Sequence, residues 1–120
     1  TPQYYKKFKV QGLLEKEFLK LIKEAKKNEE AGVFSIVVEC VSSTTAREIT
    51  KSLKIPTIGI GASVNCDGQI LVTDDMLGLS GFYPRFVKKY ANLQKIIKTA
   101  IKKFKKDVRN EKFPSNSNTF

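Results

Sequence analysis

Between Gln11 and Ala31 the apolar residues Leu13, Leu14, Phe18, Leu21, Ile22 and Ala25 recur at helical spacing, while Glu and Lys fill the other faces. The pattern predicts an amphipathic helix that stops near Gly32. Then the period changes. "VFSIVVE", residues 33–39, is a continuous apolar run of strand length, the kind buried on both faces in a parallel sheet. "SSTTAREITKSLK", residues 42–54, opens on hydroxyl side chains suited to helix capping and carries Ala46, Ile49 and Leu53 at helical spacing. It stops at Ile55-Pro56, because proline disfavours helix in the residue before it. "PTIGIGA", residues 56–62, reads as a second strand entering a glycine-containing loop, and "QILVT", residues 69–73, as a third short strand. "DDMLGLSGFYPRF", residues 74–86, predicts a long loop that opens a helix around Pro84 to Tyr90. A last amphipathic helix, Asn92 to about Val108, sets Leu93, Ile96, Ile97, Ala100, Ile101 and Phe104 on one stripe, and the tail "FPSNSNTF" reads as irregular.

Strand, helix and strand within residues 33–62 make a βαβ unit, so the sheet is expected to be parallel with a right-handed crossover. Three parallel strands leave two unprotected edges. An open small sheet satisfies the pattern, and so does the last part of an eight-stranded α/β barrel, in which functional residues sit at the C-terminal ends of strands. A length of 120 residues allows one domain.

Composition narrows the chemistry. There is no histidine, which excludes Ser-His-Asp and Cys-His catalysis by this chain's own residues and leaves acid-base work to Asp, Glu, Lys or Tyr. Cys40 and Cys66 form no CxxC pair and have no zinc-ligand spacing, so reduced, packed thiols are expected. The net charge of +10 raises nucleic acid as a partner, with eight Lys/Arg between Lys95 and Lys112. But the excess is lysine, arginine occurs only at Arg47, Arg85 and Arg109, and no RNP, KH or zinc-finger pattern accompanies it. A solvated lysine face is the expectation, and nucleic-acid binding is not. No basic-then-apolar leader and no apolar run of membrane-spanning length is present, which gives the expectation of a soluble, cytoplasmic protein.

One position stands out in this frame. Glu39 ends the run "VVE", where a buried strand gives way to the polar turn "CVSS". It reads either as the first solvated residue after a strand or a partner to a nearby lysine, or as a base at the mouth of an α/β site. "GIGA", residues 59–62, can bring backbone N–H groups near an anion but lacks the third glycine of a dinucleotide fingerprint. Asp74-Asp75 offers hard-cation ligands, yet neighbours on a strand point to opposite faces, which favours a cap or salt-bridge role for one of them.

Taken in order, "TPQ", "KVQG", "AGVFSIVVECV", "REITKSLKIPTIGIGA", "CDGQILVTDDMLGL" and "PRFVKKYANL" closely resemble the ketopantoate hydroxymethyltransferase family, across almost the whole chain. The resemblance implies an α/β fold in which residues 1–120 are the C-terminal portion of a single (β/α)8 barrel domain, incomplete as a barrel. It implies transfer of a hydroxymethyl group from 5,10-methylenetetrahydrofolate to 3-methyl-2-oxobutanoate, giving 2-dehydropantoate in pantothenate biosynthesis. It also implies a magnesium ion that chelates the 2-oxo acid and stabilises its enolate, with ligands expected upstream of this chain and none within it. By the family pattern Glu39 is the proton acceptor, in an apolar strand mouth expected to raise its pKa. Gly61 and Ala62 then belong to the substrate rim. A homo-oligomer, a decamer in the family, is implied as well. Two departures appear: "TPQYYKKFKVQG" is shorter than the family's loop and lacks its Gly-Gly pair, and "SNSNTF" replaces a more acidic tail. The competing reading is an inactive remnant or lysine-rich binding module.

Overall fold

The structure is a computed structural model that describes residues 9–120. Its elements are α1 (Glu15–Glu30), β1 (Ile36–Glu39), α2 (Ser43–Ser52), β2 (Thr57–Ile60), β3 (Gly68–Gln69), α3 (Thr73–Met76), α4 (Leu93–Arg109) and a 3-10 turn, Asn116–Asn118. The strands form one parallel sheet in the order β1-β2-β3, so the α/β class and the parallel βαβ unit are present as the pattern predicts. The chain divides into two compact units: the described residues up to Val72 together with Tyr83–Val87, and Thr73–Phe82 together with Lys88–Phe120.

In the first unit, α1 begins at Glu15, four residues later than its periodicity predicts. The reason is competition for the backbone. The Gln11 N–H donates to the Cys40 carbonyl at 2.8 Å and the Ser42 N–H donates to the Gln11 carbonyl at 2.9 Å, which commits this segment to a parallel bridge. Leu13 and Leu14 consequently stay exposed, and the core takes Ala25, with Leu21 and Ile22 packed at its margin. Glu29, near the end of α1, accepts the Ile55 N–H at 3.0 Å and ties the helix to the turn before β2.

Helix α2 starts where the hydroxyl cluster predicts it: Ser42 caps it by accepting the Thr45 N–H at 3.2 Å. It buries Ala46 and Ile49 in one cluster with Val38 and Cys66, and buries Thr45 against Gly12. Strand β1 is shorter than the apolar run, beginning at Ile36, and only Val38 in it is buried. Val37 is 55% exposed and Phe34 88% exposed. The run is hydrophobic on both faces, but α1 and α2 cover only the Val38 face. Burial of the other face needs structure beyond these three strands.

The third strand is a two-residue ladder rather than the five-residue run predicted. Gly68 and Gln69 pair with Ile58 and Gly59, after which Ile70 donates once more to the Gly59 carbonyl at 3.0 Å and the chain leaves the sheet. Thr73 already belongs to α3, so Asp74 and Asp75 open a helix and do not alternate along a strand.

The helix predicted over Pro84 to Tyr90, a span divided between the two units, does not form. Tyr90 and Ala91 both give their N–H groups to the Met76 carbonyl, at 2.8 and 3.3 Å, instead of to carbonyls one turn back. Asn92 then caps α4 by accepting the Lys95 N–H at 3.4 Å. The predicted stripe on α4 is formed but uncovered, with Ile96, Ile97, Ile101 and Phe104 all exposed. Phe104 meets Phe113 edge-on, with ring centroids 5.4 Å apart. Among the described residues no helix is long and apolar enough to cross a membrane.

Candidate active site

The parallel register aligns the strand ends. Val38 pairs with Gly59 and Glu39 with Ile60, so Glu39 and the "GIGA" loop reach the same C-terminal edge of the sheet. The Glu39 side chain is exposed, and the apolar cover expected around a strand-mouth carboxylate is not supplied by the described residues. Glu39 and Val37 instead line one side of a cleft of about 260 Å³ along the outer edge of β1, with Leu21, Ala25 and Ile49 on its other walls.

The turn after Glu39 is held from two sides. Cys40 adopts a left-handed backbone, φ 55°, uncommon for a residue with a side chain. Its thiol donates to the Lys9 carbonyl at 3.4 Å. Burial pushes the Cys40 thiol pKa up from its ordinary value, and the negative charge of Glu39 adds to the effect. Opposite, the fully buried Thr45 donates its hydroxyl to the Gly12 carbonyl at 2.8 Å, and the Ser42 hydroxyl donates to Thr45 Oγ1 at 2.8 Å. Gly12 has φ +75°, and a Cβ there would lie 2.6 Å from Thr45 Oγ1, so only glycine fits. These contacts lock residues 11–12 onto the end of β1.

At the second strand end, Gly61 turns with φ +59°, and a Cβ there would collide with Phe86 Cβ and lie 3.1 Å from the Phe86 carbonyl oxygen. Gly61 is exposed, whereas Ala62 is 4% exposed and packs into the core. The loop beyond is fixed on the helix side of the sheet. Asp67 accepts the Thr57 N–H at 2.8 Å, Thr57 and Thr50 hydroxyls lie 2.7 Å apart, and Gln69 Nε2 donates to the Ser63 carbonyl at 2.6 Å. Asp67 is thus a structural carboxylate. Among the described residues no group of three or more Cys, Asp and Glu comes together that could hold a metal ion.

A family model described as ketopantoate hydroxymethyltransferase matches residues 1–116. The chain belongs to that family. A 3-methyl-2-oxobutanoate hydroxymethyltransferase of Pelagibacter ubique is 53% identical over 99% of this chain and 46% of its own length. Enzymes of the same name from Chlorobaculum tepidum and Clostridium novyi are 50% and 53% identical, over 97% and 94% of this chain and 42% of their own lengths. The chain therefore spans less than half the length of the curated relatives it matches, which fits three parallel strands that do not close a barrel.

In this ketopantoate hydroxymethyltransferase family member, the structure adds Gln11, Gly12, Thr45 and Phe86 to the residues singled out from the sequence. Gln11 and Gly12 lay in the block "KVQG" and Phe86 in "PRFVKKYANL", without a role attached to any of them. Thr45 looked like one more capping hydroxyl, and Phe86 lay inside a predicted helix.

Proposed function

We propose that this chain is the C-terminal portion of a single-barrel 3-methyl-2-oxobutanoate hydroxymethyltransferase acting in pantothenate biosynthesis, and that Glu39 is its proton acceptor. The observation that carries the reading is the position of Glu39: last residue of β1, in register with Ile60, exposed at the strand ends where α/β barrels keep their chemistry. The carboxylate takes the proton from C3 of 3-methyl-2-oxobutanoate. The electron pair left on C3 forms the bond to the one-carbon unit of 5,10-methylenetetrahydrofolate, water supplies the hydroxyl oxygen, and tetrahydrofolate leaves. Gly61 and Ala62 form the rim of the substrate site, offering backbone rather than side-chain contacts.

The rest of the barrel has to come from outside these residues. The cleft along β1 supports this, since it follows the outer edge of β1, which among the described residues meets only the single bridge at Gln11–Val41, and is walled by Leu21, Ala25 and Ile49. That shape suits a neighbouring strand rather than a small acid. When bound, magnesium would supply charge stabilisation at the 2-oxo acid, and its ligands belong to that missing part. By itself the chain is inactive. The active protein is a cytoplasmic homo-oligomer.

The test is turnover by the full-length enzyme with Glu39→Gln, alongside exchange of the C3 proton of 3-methyl-2-oxobutanoate with solvent deuterium in the absence of the folate. Loss of both is expected. Exchange at the unaltered rate removes Glu39 from the mechanism.

A further inference from the structure

Among the described residues the Glu39 carboxylate accepts no hydrogen bond and forms no ion pair, so its place at the strand end is set by the backbone that carries it. On one side β2 holds that backbone, through the pairing of Glu39 with Ile60. On the other, the Gln11 N–H donates to the Cys40 carbonyl and the Ser42 N–H to the Gln11 carbonyl, at 2.8 and 2.9 Å, across a turn in which Cys40 is left-handed. Gln11 is held in turn by the residue after it. The Gly12 carbonyl accepts the Thr45 hydroxyl at 2.8 Å and the Ser42 hydroxyl at 3.2 Å, and the two hydroxyl oxygens lie 2.8 Å apart. Thr45 is fully buried in the first turn of α2, the helix that Ser42 caps. It thus joins three segments: the stretch before α1, the turn after Glu39 and the start of α2.

We propose that Thr45 is a positioning residue for Glu39. The inference rests on the proposed role of Glu39 as proton acceptor. A base must sit within hydrogen-bond reach of the proton it removes, and a carboxylate with no partner of its own keeps that reach only while its backbone stays in place. The left-handed conformation at Cys40 is one that a residue with a side chain keeps only where its surroundings hold it. The two Gln11 bonds are those surroundings, and Thr45 fixes Gln11 by fixing Gly12, where a Cβ would lie 2.6 Å from the Thr45 hydroxyl oxygen. Valine at position 45 fills the same space but leaves the Gly12 carbonyl on the longer Ser42 bond alone. The turn then loosens, and the carboxylate moves with it.

The experiment uses the full-length enzyme with Thr45→Val, Thr45→Ser and, as a matched control, Thr57→Val, and reads donor-free exchange of the C3 proton of 3-methyl-2-oxobutanoate with solvent deuterium. Thr57 is equally buried in the same unit and donates its hydroxyl to Asp67 at 3.2 Å, but it pairs with Ile36, at the opposite end of β1 from Glu39. Thr45→Val is expected to lower the maximal exchange rate about 10- to 100-fold, the scale of a reacting group misplaced by up to about 1 Å, while the half-saturating concentration of the acid stays within about twofold. Thr45→Ser keeps the hydroxyl and should restore the parental rate. Thr57→Val should lower the thermal midpoint and leave the rate unchanged. Ser42→Ala, which takes the other hydroxyl from the Gly12 carbonyl, reads the same turn if the thermal midpoint shows Thr45→Val to be unfolded. A parental rate in the folded Thr45→Val or Ser42→Ala enzyme overturns the proposal, as does an equal loss in Thr57→Val, which would make the effect one of general stability. Exchange unaltered by Glu39→Gln overturns the base assignment instead.

Discussion

Glu39 stands beside Ile60, last residue to last residue, in the parallel register of β1 and β2. The pairing is backbone-directed, so the side chain can change without disturbing the ladder that places it. Replacing Glu39 with Gln in the full-length enzyme should therefore lower kcat by about 10²–10⁴-fold, the range for a lost general base. The KM for 3-methyl-2-oxobutanoate should move far less. Because Glu39 is exposed, the thermal midpoint should be unaltered. Steady-state kinetics and a melting curve check both halves.

Cys40 reports on the same carboxylate. Its thiol is pushed up first by burial and then by the charge of Glu39, so less of it is thiolate at a given pH than in a free cysteine. Glu39→Gln removes the second cause and lowers the thiol pKa. Alkylation of Cys40 at mildly alkaline pH, followed by peptide mapping, should then quicken by about two- to fivefold. The sign also fixes a stability trend. A thiol whose pKa is raised on folding contributes stability below its unfolded value, and that contribution disappears as pH rises through the folded value. Alkaline titration should destabilise the parent more than Cys40→Ser.

The Thr45 hydroxyl gives its proton to the Gly12 carbonyl inside the protein, with Thr45 fully buried. Thr45→Val keeps the shape and removes the shorter of two donors, leaving the Gly12 carbonyl with the 3.2 Å bond from the Ser42 hydroxyl, at a cost of about 1 kcal/mol. Gly12→Ala meets both the left-handed φ and the Thr45 hydroxyl, with a comparable or larger cost. Denaturant unfolding of the full-length enzyme measures both. The pair of substitutions should be non-additive, since each breaks the same contact.

What the sequence made legible followed the strength of local signals. The α1 stripe, the Ser42 cap, the Pro56 boundary and the parallel βαβ unit all arise from periodicity or from single-residue backbone chemistry, and they stand in the fold. The start of α1 and the absent helix at Pro84 were decided by distant backbone partners: Cys40 for Gln11, and Met76 for Tyr90. No window of neighbouring residues contains those bonds. At the site, Glu39 was visible because a lone carboxylate interrupts an apolar run. Phe86 stood in the block "PRFVKKYANL", but its pairing did not show, because its partner is a glycine 25 positions away and a missing side chain leaves no hydrophobic signature.

The outer edge of β1, which has no partner strand among the described residues, leads to the remaining prediction. β1 ends the sheet, its Val37 is half exposed, and Phe34, Leu13, Leu14 and Leu19 add further uncovered apolar surface in the same unit. An edge of this kind pairs with whatever strand is available. Expressed alone, the 120-residue chain should elute as larger than a monomer and bind a hydrophobic dye. Co-expression with the rest of the enzyme should suppress both properties, because the native neighbour of β1 then fills the cleft between Val37 and α1. Size-exclusion chromatography with light scattering separates the outcomes. A monomeric isolated chain that melts cooperatively would show that the edge needs no such neighbour, and with it would go the argument that this cleft is a strand seat.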